Sequence, residues 1–170
     1  MAHAPMKQTE VTQVRHNRSP LTHGTWVLVA DGEKALFLRN VTDADDPNLE
    51  VIRIEEQDNP PTHAQGTDRP GRFNDGPSAH RSAVADSDWH WLAKERFAAD
   101  LAGILYTLAH RGRFDRLILV AAPKILGELR KELHQEVTGK VVAEADLTLT
   151  NHPVHEIAER VAEATTPVAE

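Results

Sequence analysis

The chain has 170 residues, a length that fits one domain built on a single sheet covered on both faces. It has no cysteine, which excludes disulfides and thiolate metal sites, and its 40% hydrophobic and 26% charged residues are ordinary for a globular protein. A net charge of −7 excludes a protein that coats nucleic acid with its whole surface. No apolar run has the length of a membrane span, and the polar stretch Met1–Thr22 lacks the apolar centre of a secretory signal, so a cytoplasmic location is expected.

Residues 1–23 read as a flexible extension. The first strand signal is Thr25–Ala30 (TWVLVA), set between Gly24 and the turn pair Asp31-Gly32. Ala35–Val41 and Leu49–Glu56 follow, and their short connections predict an antiparallel meander. Periodicity is then lost over a long loop, 57–87, which holds Pro60, Pro61, Pro70 and Pro77 with Gly66, Gly71 and Gly76. A helix is expected from a cap at Ser87 or Asp88 to about Gly112, with Phe97, Leu101, Ile104, Leu105 and Leu108 as its apolar stripe. Arg116–Ala121 has no polar alternation, the pattern of a strand covered on both faces. Pro123 starts a second helix with Ile125, Leu126, Leu129 and Leu133 on its core face. Lys140–Leu147 reads as a fifth strand. Asn151 and Pro153 open a last helix striped by Val154, Ile157, Ala158 and Val161, before a frayed tail, 165–170.

Meander, helix, strand, helix, strand, helix is the element order of a five-stranded mixed sheet with flanking helices, an α/β fold of ribonuclease-H-like topology. One domain over 24–164 accommodates it. Nucleases of that topology converge several carboxylates on two metal ions. Here the body of the first strand carries no acid and the fourth ends in Ala121-Ala122-Pro123. Asp31 is explained by the turn, and Glu95, Glu156 and Glu159 by exposed helix faces. A nuclease is not expected, and no metal site or cofactor is read.

Other chemistry leaves few candidates. His152 and His155 stand three apart, but the sequence around them is neither of the familiar zinc-helix motifs, and surface histidines near a cap are the simpler reading. There is no Gly-x-Ser-x-Gly elbow and no phosphate-binding glycine loop. Trp89 and Trp91 suit base stacking, although half-burial beside the sheet is preferred. In the long loop, Asp68, Arg69, Gly71 and Arg72 combine two guanidinium forks with a glycine that permits close backbone approach. An internal Asp68–Arg72 pair competes evenly with that reading. The segment Pro60–Arg81 leans basic, and Arg81 extends the same patch.

The run Ala122-Pro123-Lys124-Ile125-Leu126-Gly127-Glu128-Leu129-Arg130 resembles the signature of the bacterial host-attachment proteins. Asp31, the loop's Asp68-x-Pro70-Gly71-Arg72 and Asp146-Leu147-Thr148 match as well. That family is similar to the middle domain of eukaryotic and archaeal class-I peptide chain release factors. The resemblance implies the same topology, with a long loop between the third strand and the first helix. In release factors that loop carries the Gly-Gly-Gln that promotes peptidyl-tRNA hydrolysis; here the span offers only Gln65-Gly66, so release activity is not carried over. The signature residues Pro123, Leu126, Gly127, Leu129 and Arg130 have structural readings too: helix start, core, close packing of Gly127 on the sheet, and a tie from Arg130 to an acid such as Asp146.

The leading expectation is a non-catalytic protein whose loop contacts an anionic partner, ribosomal RNA or tRNA, through Arg69, Arg72 and Arg81. A protein-interaction factor in stress or attachment is the second reading. A weak hydrolase using Asp31 and a histidine is the third. Oligomeric state is not legible.

Overall fold

The computed structural model describes residues 18–57 and 79–168, and for 79–87 the backbone alone. The elements are β1 (Trp26–Ala30), β2 (Lys34–Asn40), β3 (Leu49–Glu56), α1 (Ala79–His110), β4 (Leu117–Ala121), α2 (Pro123–Glu132), α3 (Gln135–Thr138), β5 (Val141–Ala145) and α4 (Val154–Thr165). The sheet is mixed, in the order β3-β2-β1-β4-β5, with β1–β2 and β2–β3 antiparallel and β1–β4 and β4–β5 parallel. This order fits the ribonuclease-H-like topology read from the sequence.

Strand pleating explains why β1 and β4 contain no polar residue: alternate side chains enter two different cores. Trp26, Leu28 and Ala30 join Phe37, Leu117 and Leu119 beneath Phe97, Leu101 and Leu105 of α1 and Leu126 and Leu129 of α2. Val27 and Val29 join Leu36, Leu38, Ile118 and Val120 over Ile157, Ala158 and Val161 of α4. Every residue of β1 and β4 is buried.

α1 ends as its sequence suggests. Gly112 adopts φ 67°, its amide donates to the Ala109 carbonyl at 2.9 Å, and the Arg113 amide donates to the Leu108 carbonyl at 2.9 Å, the paired bonds of a Schellman cap.

Three boundaries differ clearly from expectation, and one short helix is new. α1 begins at Ala79, well before Ser87 and Asp88; beyond Pro77 the sequence has no glycine or proline until Gly103, and Ala79, Ala83 and Ala85 are strong helix formers, so propensity extends the helix past the polar residues that looked like caps. α3 was not anticipated; a single turn has too few residues to show a period, and His134 caps it by accepting the Glu136 amide. α2 stops at Glu132, which leaves Leu133 as its half-buried C-cap. β5 ends at Ala145, and Asp146 and Leu147 lie beyond it. Among the described residues, no helix is long and apolar enough to cross a membrane.

Candidate functional site at the carboxyl ends of β1 and β4

β1 and β4 run parallel, so their carboxyl ends, Asp31 and Ala122, open on the same side of the sheet. The β1–β2 turn forms because Asp31 braces it. Its Oδ1 accepts the amides of Glu33 and Lys34, both at 2.7 Å, while its own amide donates to the Lys34 carbonyl. Oδ2 accepts the hydroxyl of buried Thr150 at 2.6 Å, which ties the turn to the chain entering α4. Both carboxylate oxygens are occupied by structural donors, which speaks against a hydrolase built on Asp31. Asp31→Ala should therefore lower stability by about 1–2 kcal/mol in a denaturant titration, since a turn brace of three hydrogen bonds is lost at a half-exposed position. Unchanged stability would contradict this assignment.

Close by, the stem of Lys94 on α1 lies against Gly32. A Cβ at Gly32 would meet Lys94 Cγ at 2.4 Å, so only glycine leaves room for the lysine across the turn. One helical turn away, Lys124 places its Nζ 5.7 Å from the centre of the Trp91 ring, a cation–π contact that joins α1 to the start of α2. Trp91 is half-buried, as the sequence reading preferred. Trp89 is not: it is 65% exposed, and Leu92 is 51% exposed three residues along the same face. Among the described side chains of α1, the stripe that enters the core begins at Phe97, two turns beyond Trp89.

The signature run on α2 divides sharply. Pro123 stands at the first helical position, behind Ala122, and Leu126 and Leu129 are buried. Gly127 does not serve close packing on the sheet, because a Cβ added there meets nothing within 4 Å. Arg130 does not reach Asp146, which is exposed beyond the end of β5. Its Nε donates to both carboxylate oxygens of Glu144 on β5, at 3.2 and 3.0 Å, and its terminal nitrogen bonds to the same group. The end of the strand accounts for the difference: Glu144 and Asp146 are two residues apart and would share a face, but only Glu144 is still in β5. Hydrogen bonding to Glu144 raises the Arg130 pKa above its ordinary value, and the neighbouring Glu128 does the same for Lys131.

The loop residues Asp68, Arg69, Gly71 and Arg72 lie outside the described residues. Arg81 falls on the backbone of α1, with its side chain also outside them. His152 precedes α4 and His155 lies within it, so the two do not share a helical face. Among the described residues, no three histidine or carboxylate side chains converge on a point that would hold a metal. A shallow groove of about 470 Å³ opens elsewhere, between Arg53 of β3 and the Gly103–Arg111 part of α1.

One residue missed by the sequence reading is the fully buried Asn40. Its amide nitrogen donates to the carbonyls of Leu21, Thr22 and Asp43 at 2.9, 3.2 and 2.9 Å. Its Oδ1 accepts from the Thr42 amide and hydroxyl and from the Asn48 amide, at 3.1–3.2 Å. An asparagine closing the strand that carries the apolar run Ala35–Leu38 was the available signal.

Residues 24–161 match the model of the bacterial archaeo-eukaryotic release factor family 12, and the chain belongs to that family. Among solved structures it is similar to a chain described as an archaeal protein, with 14% identity and a TM-score of 0.41. The match covers 84% of this chain but only 35% of the archaeal one. No curated protein matches.

Proposed function

We propose that this chain is a translation-associated protein of the release-factor type that binds the ribosome or tRNA in the cytoplasm without a catalytic group of its own. Family membership over residues 24–161 supports the link to translation. The observation that carries the binding mode is the length of α1. Its 32 residues extend about 48 Å, whereas the five residues of β4 extend about 17 Å. Among the described side chains of α1 the first buried one is Phe97, and exposed Trp89 stands two turns before it, near the start of the described side chains of the helix. In this reading Arg69, Arg72 and Arg81 meet phosphates and Trp89 stacks on an unpaired base.

The full chain should co-sediment with ribosomes on sucrose gradients at low salt and be released as salt rises, the mark of phosphate contacts. Joint substitution of Arg69, Arg72 and Arg81 by glutamate should abolish co-sedimentation without changing the melting temperature. A chain that stays at the top of the gradient at both low and moderate salt would end this reading. The protein-interaction alternative is favoured by one separate feature, the apolar edge of β3.

A further inference from the structure

We propose that β3 docks a second copy of this chain, through an antiparallel β3–β3 pairing about a two-fold axis at Ile54 that joins two five-stranded sheets into one. This does not rest on ribosome binding. Among the described residues, β3 is an outer strand of the sheet and, at eight residues, its longest. It leaves large apolar side chains in water: Val51, Ile52 and Ile54 are 36%, 41% and 53% exposed. An open edge with apolar side chains is a template for another strand.

Backbone direction picks out the centre. The Gln57 amide donates inward to the Glu33 carbonyl at 2.7 Å. Bonds alternate along an antiparallel ladder, so Glu55 and Arg53 also face β2, while Ile54 and Glu56 turn their N–H and C=O groups to the open edge. A two-fold axis at Ile54 sets it against Ile54 of the partner subunit, with two reciprocal N–H···O=C bonds.

Charge selects the same register. It places Arg53 opposite the partner's Glu55 and Glu55 opposite the partner's Arg53, on one face of the sheet. Arg53 already bonds Glu55 within its own strand, so the two guanidiniums and two carboxylates would close into one network. On the other face, the two Ile54 side chains stand opposite each other across the axis. Protected edges usually carry charge that repels a copy; this edge is self-complementary. The rival register, with Glu50 opposite the partner's Arg53, is centred between Val51 and Ile52. It falls on a bulge, because Phe37 pairs with Arg53 and Leu38 with Val51, leaving Ile52 unmatched on β2.

Sedimentation equilibrium of the full chain, from about 1 μM to about 0.5 mM, tests this in the range expected of a small interface. A monomer–dimer equilibrium is expected. Arg53→Glu should weaken it at least about tenfold by setting like charges across the axis, and Ile54→Lys should do the same. Exchanging the pair, Arg53→Glu with Glu55→Arg, should restore the wild-type constant. Circular dichroism would confirm that each variant is folded. A monomer throughout the range, an Arg53→Glu chain that dimerises as well as wild type, or an exchange that restores nothing would each overturn the proposal.

Discussion

Asn40→Ala should lower the stability of this protein by about 2–4 kcal/mol, an effect of the size measured for core truncations. The reason is the number of groups that one side chain satisfies. The segment Leu21–Thr22 crosses the end of β2, and the β2–β3 connection folds back beside it; neither has a ladder partner for the carbonyls and amides it turns inward. Asn40 supplies donors to three carbonyls and an acceptor to three donors, while its own amide and carbonyl bond Thr25 and Gly24. Alanine removes all of the side-chain partners at once and leaves buried polar atoms unpaired. Asn40→Asp should be at least as damaging near neutral pH, because it turns an oxygen toward the Leu21, Thr22 and Asp43 carbonyls where a donor is needed. For a domain of this size, the melting temperature should fall by roughly 5–15 °C. A loss below about 1 kcal/mol for both variants would show that water replaces the network and that Asn40 is not its organiser.

The same residue shows where sequence reading stops. Strands and core stripes were legible because burial on two faces demands an unbroken apolar run, as in β1 and β4, and burial on one helical face demands a period, as in α4. These are properties of neighbours in the chain. Asn40 acts on residues 18–19 positions before it and up to eight after it, and at the end of a strand it reads like any turn-former. Arg130 needed an acid, and the sequence offered two on one strand end; only the point where β5 stops decides for Glu144. Asp31 was legible as a turn residue, yet its bond to Thr150 joins residues 119 apart. The Trp91–Lys124 contact depends on where α2 starts relative to α1, and the exposure of Trp89 on where the helix meets the core. Each of these lies in packing between elements.

Within the signature run, Leu129→Ala and Gly127→Ala should move stability in opposite directions. Leu129 is fully buried among Leu126, Phe97, Leu101 and the side chains of β4, so its truncation removes apolar contact and leaves a cavity. The expected loss is about 2–5 kcal/mol, with the spread set by how far α2 can settle into the space. Gly127 lies two residues away in the same helix, its φ is not positive, and a methyl group there touches nothing. Alanine should add about 0.5–1 kcal/mol, since glycine in a helix interior gives up more backbone freedom on folding. If both substitutions behave this way, the two residues recur in one motif for different reasons. Leu129 is held by the core, and folding alone does not call for the glycine. Gly127→Ala therefore carries a second readout: stabilised chain with weaker ribosome co-sedimentation would place a partner's close approach on that face of α2, between Lys124 and Arg130. Stabilisation with unchanged sedimentation would remove α2 from the contact surface and leave the part of α1 around exposed Trp89 as the remaining described candidate.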